Sequence, residues 1–161
     1  MLIKGIVDED FINYKLPSMY IATATCSFKC DKEYGSPICQ NSELAKQPTH
    51  NIVDDLIVER YVSNPITGAI VFGGLEPFDQ FNDMCCLIKK FRNHFLSCID
   101  PIVVYTGYNK DEIEDEIAFL KETYNDIIIK FGRYIPDQQP HYDPVLGVYL
   151  ASDNQYAERI S

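Results

Sequence analysis

No stretch of this 161-residue chain approaches the eighteen or so consecutive apolar residues of a membrane-spanning helix. Nor does Met1-Leu-Ile-Lys-Gly-Ile-Val-Asp-Glu-Asp10 hold the long apolar segment of a secretory leader, and it turns acidic at once. A cytoplasmic location is the expectation. Positive charge is scarce: 14 Lys and Arg stand against 24 Asp and Glu, for a net charge of −10. Phosphate backbones and anionic bilayers are gripped by a basic footprint, so neither a nucleic acid nor a membrane is an expected partner. Internal repeats and low-complexity tracts are also absent. With 46% hydrophobic and 24% charged residues the balance is globular, not disordered. The length suits one domain over residues 1–161.

What is present is thiol. In a chain expected to stay in a reducing compartment, six cysteines are thiols or metal ligands rather than a disulfide frame. Three of them lie on one Gly- and Pro-punctuated loop over residues 26–48: Cys26-Ser-Phe-Lys-Cys30, then Cys39-Gln40-Asn41. A structureless loop of that length in a small domain is normally functional. Three thiolates suit an iron–sulfur cluster with three irons ligated by protein and one left open. The competing reading is a structural zinc site completed by His50 or another cysteine. Cys85 lies on an amphipathic segment and is assigned to the core, where free cysteine behaves as a small hydrophobe. Cys86 and Cys98 remain candidate redox or metal-reactive thiols, and His50, His94 and His141 have no partner pattern.

Around the loop, apolar β-like runs alternate with helical periodicity. Residues 1–18 form a short strand or hairpin with a turn near residues 8–10, and residues 19–25 form the first clear strand. Ile52, Val53, Leu56, Ile57 and Tyr61 mark a helix over residues 50–62. Ala69-Ile-Val-Phe72 is a buried strand ended by Gly73-Gly74-Leu75-Glu76-Pro77. A helix from Asp79 to about Leu96 turns Phe81, Met84, Cys85, Ile88, Phe91 and Phe95 inward. Ile102-Val-Val-Tyr-Thr106 is the next strand, residues 110–124 an acidic-faced helix, Ile127-Ile-Ile129 a buried strand, and one more strand lies near residues 147–150. Strand–helix alternation predicts parallel strands with crossover helices. The units are too few to close a barrel, so the expected fold is α/β, a partial, open parallel β/α barrel. Sites in such sheets form beyond the carboxyl ends of the strands, where the cysteine loop, the Gly-Gly-Leu-Glu segment and Thr106-Gly107-Tyr108 all fall. Gly73-Gly74 offers bare backbone and Glu76 a carboxylate for an ammonium group.

Taken together these segments resemble the radical S-adenosylmethionine superfamily, and within it the activating enzymes of anaerobic (class III) ribonucleotide reductase. Cys39-Gln-Asn-Ser-Glu-Leu44 is similar to the family's Cys-His-Asn-Pro-Glu-Leu, and Gly73-Gly74-Leu75-Glu76-Pro77 to its Gly-Gly-Glu/Asp-Pro. Val104-Tyr-Thr-Gly-Tyr108 matches its Thr-Gly-Tyr strand end. Residues 127–135 resemble its Asp-Gly-Arg-Phe-Ile region, and Ala151-Ser-Asp-Asn-Gln155 its Gly-Ser-x-Asn-Gln. The departures are six extra residues between Cys30 and Cys39, Ile38 where an aromatic residue is usual, an inserted Leu75, Lys130-Phe131 before Gly132, and Ala151 for glycine.

The resemblance implies a [4Fe–4S] cluster on Cys26, Cys30 and Cys39 and S-adenosylmethionine as second cofactor. Gly73, Gly74 and Glu76 would hold the methionyl ammonium, and Ile38 and the backbone at Thr106 would line the adenine and ribose. One-electron reduction would release methionine and a 5′-deoxyadenosyl radical, which takes a hydrogen atom from a glycine of the partner reductase. A low-potential donor such as flavodoxin or ferredoxin would supply the electron. The alternatives are a radical enzyme acting on another protein or peptide, and an iron–sulfur or zinc binding module without catalysis.

Overall fold

Ile70-Val-Phe-Gly-Gly74 carries no polar side chain, and it forms the fully buried central strand of the protein. The structure is a computed structural model describing residues 1–94 and 100–161. Among the described residues seven strands make one sheet: β1 (Leu2–Asp10), β2 (Ser18–Thr23), β3 (His50–Asn51), β4 (Ile70–Gly74), β5 (Ile102–Tyr105), β6 (Ile127–Phe131) and β9 (Tyr156–Arg159). Their order across the sheet is β3-β1-β2-β4-β5-β6-β9. A separate hairpin joins β7 (His141–Asp143) to β8 (Val148–Leu150). Strands β2, β4, β5 and β6 are parallel neighbours in chain order. They are linked through α3 (Asp54–Val62), α4 (Phe81–His94) and α5 (Glu114–Thr123).

Side-chain alternation divides the sheet's two faces. Met19, Ile21, Ile70, Phe72, Ile102, Val104, Ile127 and Ile129 point to the main core. There they meet Ile57, Val58 and Tyr61 of α3, Met84, Leu87, Ile88 and Phe91 of α4, and Ile117 and Leu120 of α5. Three helices therefore cover one face. The other face carries Val71, Val103 and Ile128 and is capped by Tyr14, Leu146 and Leu150 from non-helical segments. No helix among the described residues is long and apolar enough to cross a membrane.

The expected parallel arrangement holds for four strands only, and the sheet as a whole is mixed. β1 turns straight back into β2 through seven residues, too few for a parallel crossover, so the pair is antiparallel. β3 lies antiparallel on β1, and β9 returns antiparallel on β6. Apolar content alone did not disclose β9, whose run Tyr-Ala-Glu-Arg is half charged. The helix expected from residue 50 starts at Asp54, because His50 and Asn51 pair with Ile3 and Leu2 as an edge strand. Of the apolar positions that mark this helix in the sequence, Val53 and Leu56 are exposed, while Val58 is buried. The segment after Glu76 begins as a 3-10 turn (Pro77–Gln80) before α4. Cys85 is buried in the core as expected, and Phe81 packs half-buried against it. Phe95, Leu96 and Cys98 lie outside the described residues.

Candidate functional site

The four parallel strands end together. Thr23 pairs with Gly74 and Tyr105 with Lys130, so the chain leaves β2, β4, β5 and β6 along one edge of the sheet. A cleft of about 320 Å³ opens there, within the range of small-molecule sites. Cys26, Cys30 and Cys39 line it together with Gly74, Glu76, Thr106, Lys130 and Arg133. All three thiols are partly exposed.

The first thiol is placed by main-chain hydrogen bonds to the segment after β4. Gln80 Oε1 accepts the N–H groups of Ala24 (2.7 Å) and Thr25 (3.0 Å), and Asp79 Oδ2 accepts that of Ser27 (2.5 Å). Phe28 adopts the left-handed conformation (φ 52°), which lets its N–H point back at Cys26 Sγ, 3.2 Å away. A six-residue helix, α1 (Lys29–Tyr34), then carries Cys30. The chain returns to Cys39, and Asn41 Nδ2 donates to the Gly74 carbonyl (2.5 Å) just before the short helix α2 (Ser42–Lys46). Cys39 lies beside Cys30, close enough to disfavour its charged form. Burial pushes the Cys26 thiol up to about 12, with Glu76 and Asp79 adding repulsion, and burial beside Cys39 pushes Cys30 up to about 11. Such thiols give up their protons when a metal displaces them.

Among the described residues, no three His, Cys, Asp or Glu side chains converge as a single-ion site. One zinc draws its thiolate sulfurs to within about 4 Å of one another, given Zn–S bonds of about 2.3 Å. A cluster spreads its thiolates over separate irons. Three soft donors around one open cleft suit the latter.

Glu76 is a tightly held polar side chain of the cleft. It is 6% exposed. Its Oε1 accepts the Thr106 hydroxyl (2.7 Å) and the Phe78 N–H (3.1 Å), and its Oε2 accepts the Gly107 N–H (2.9 Å). Burial raises its pKa from 4.5 to about 7 against the pull of these donors. A carboxylate has about four lone-pair sites, so Oε2 keeps acceptor capacity toward the cleft.

Thr106, expected on the ribose side, orients Glu76 and takes the Tyr108 N–H on its own oxygen (3.0 Å). Gly74 lines the cleft, but Gly73 and Ile38 are not among its lining residues. Gly73 meets a different demand: a Cβ there would stand 2.8 Å from the Tyr20 hydroxyl and 2.9 Å from its ring. Its carbonyl is taken by Thr23 Oγ1 (2.9 Å). Gly74 has φ 83°, and a Cβ would sit 2.8 Å from the Ala22 backbone.

In the sequence Lys130 stands out only as a departure from a pattern. In the structure it lines the cleft at 7% exposure, with Nζ donating to the Gly132 carbonyl (2.8 Å). Burial lowers its pKa from 10.5 to about 7, while Glu76 favours the charged form. The available signal was one lysine inside the apolar run Ile127-Ile-Ile-Lys-Phe131, at a strand's carboxyl end. Nearby, Arg133 grips Glu112 with two bonds of 2.7 Å, and this holds the Glu112 carboxyl down at about 2.

A family described as a 4Fe-4S single cluster domain matches residues 18–152. No curated protein and no solved structure matches the chain.

Proposed function

Since the chain belongs to the 4Fe-4S single cluster domain family, we propose that it is a radical S-adenosylmethionine activase that generates a glycyl radical on an anaerobic (class III) ribonucleotide reductase. Cys26, Cys30 and Cys39 are the cluster ligands in this reading. The observation that carries it is the meeting of three thiols with one buried carboxylate and one buried lysine around a single ligand-sized cleft. When bound, the cluster supplies an electron and an open iron, the chemistry that cleaves a sulfonium to methionine and a 5′-deoxyadenosyl radical.

The chain's own residues hold the ligand. Glu76 faces the methionyl ammonium with its free lone pair, and Lys130 faces the carboxylate; charge-assisted pairs of this kind are the strong ones. Thr106 and Gly107 keep the Glu76 carboxylate from turning away. Gly74 gives the ligand close approach to backbone at the β4 end. Ile38 flanks the third thiol from outside the lined surface. Helices on one face and four parallel strands in chain order, within an otherwise mixed sheet, support the reading of an open β/α barrel of the radical S-adenosylmethionine type. A flavodoxin- or ferredoxin-like donor would deliver the electron at the partly exposed thiols.

The test is anaerobic reconstitution with iron and sulfide, followed by dithionite and S-adenosylmethionine. Formation of 5′-deoxyadenosine, and then a glycyl-radical paramagnetic signal on added class III reductase, is the expected result. Cleavage without that signal points to another protein or peptide substrate. A cluster that never cleaves the sulfonium reduces the protein to a binding module.

A further inference from the structure

Eight residues separate Cys30 from Cys39, and the structure shows where they go. Helix α1 leads away from the cleft and ends at Gly35, whose left-handed conformation (φ 77°) turns the chain while its N–H bonds the Asp31 carbonyl (2.9 Å). Ser36 and Pro37 lead back to Ile38. Every residue over 32–37 is exposed, so burial does not hold this excursion shut. The ion pairs of Lys29 with Glu112 and of Glu33 with Arg133 (both 3.2 Å) anchor only its outgoing limb. Asn41 and Ser42 brace the returning limb beyond Cys39 without tying it to Cys30.

The side chain that joins the two limbs is Asp31. Its Oδ1 accepts the N–H of Ile38 at 2.9 Å and the N–H of Cys39 at 2.8 Å. Asp31 and Ile38 are thereby neighbours in space. Removing residues 32–37 would make them neighbours in the chain, with two residues between the cysteines.

We propose that Asp31 is the positioning residue for the third thiolate. Its carboxylate oxygen provides through two hydrogen bonds the closure that a two-residue spacing provides through the peptide bond, so the lengthened loop still presents Cys39 beside Cys30. The inference rests on the three-thiolate cluster and is independent of the radical chemistry. A flexible return limb would have to be brought back at an entropic cost each time the metal binds, whereas Asp31 holds it in place beforehand.

The experiment compares wild type, Asp31→Ala, Asp31→Asn, Cys39→Ala, a deletion of residues 32–37, and that deletion combined with Asp31→Ala. Each is reconstituted anaerobically, and iron per chain and the decay of the cluster's visible absorbance under an iron chelator are measured. Asp31→Ala should hold iron about 10- to 100-fold more weakly, the usual effect of removing a group that orients a metal ligand, and should therefore lose it faster. Asp31→Asn should stay near wild type, because an amide oxygen accepts the same two N–H groups. In the shortened loop Asp31→Ala should change nothing. The proposal is overturned if Asp31→Ala holds iron like wild type, if Asp31→Asn is as impaired as Asp31→Ala, or if the alanine is equally harmful in the shortened loop. Should the shortened chain not fold, the alanine–asparagine contrast decides alone. Wild type that loads no better than Cys39→Ala removes the ligand set and this inference together, whereas a loaded wild type with an unaffected Asp31→Ala removes the inference only.

Discussion

Glu76→Gln separates the two burdens that the Glu76 carboxylate bears. Its pKa stands at about 7 in the folded chain against 4.5, and at about 1.4 kcal/mol per pKa unit that is a charge-burial cost of about 3 kcal/mol. The folded-state pKa lies above the unfolded one, so the native chain binds this proton more tightly. The stability it contributes is complete below about pH 4.5 and is lost as pH rises through about 7. Glutamine removes the charge but turns an NH2 toward one of the three donors now served by the carboxylate, which leaves a buried donor unpaired at about 1–3 kcal/mol. A protonated glutamic acid avoids that clash, since its hydroxyl can turn into the cleft. Urea unfolding of the reduced, cluster-free protein at pH 5 and pH 8 should therefore show wild type ahead of the variant by about 1–3 kcal/mol at pH 5. That lead should shrink by up to about 3 kcal/mol at pH 8. On the cluster-loaded protein, losing one charge-assisted bond of about 1.5–3 kcal/mol should weaken S-adenosylmethionine binding about 10- to 150-fold. A stability gap that does not change with pH would refute the account of a buried, strained carboxylate, and unchanged affinity would remove Glu76 from the ligand.

Lys130→Met should act on the opposite limb of the pH profile. The folded-state pKa of Lys130, about 7, lies below 10.5, so wild-type stability from this group is complete above about pH 10.5 and is lost as pH falls toward 7. The methionine variant should gain on wild type in urea unfolding as pH drops from 9 to 7 and should bind S-adenosylmethionine more weakly; a constant difference would mean the lysine is not charged against its burial. Gly74→Ala places a Cβ 2.8 Å from the Ala22 backbone at φ 83°, and overpacking of this kind costs about 1–3 kcal/mol. For a domain of this size that is a melting-temperature loss of about 2–12 °C, and a variant melting with wild type would show that β2 and β4 are not pressed together there.

Much of the sheet was legible because its strands announce themselves locally. Ile70-Val-Phe, Ile102-Val-Val and Ile127-Ile-Ile are β-branched or aromatic runs, and strands buried on both faces look like this. Their parallel pairing followed from helical segments between them. The antiparallel strands were harder. β3 is two exposed residues and β9 is half charged, and both owe their conformation to the strand beside them. The helix starts at Asp54 and not at residue 50 for the same reason, since pairing with β1 outcompetes a helical continuation through His50.

The chain by itself determined the chemistry on offer: three thiols on one loop, a glycine pair ending a buried strand, and a carboxylate two residues on. Those are properties of residue type and spacing, which survive translation into any compatible fold. The tertiary structure alone decided what each polar group touches. Thr106 reaches Glu76 across 30 positions of sequence, Lys130 is turned into the cleft by strand alternation, Gly73 is bare because Tyr20 lies against it, and Asp31 closes on Cys39 around an exposed excursion. Hydrogen bonds and steric contacts are fixed by distances of a few tenths of an ångström between segments remote in sequence. Only the packed sheet sets those distances.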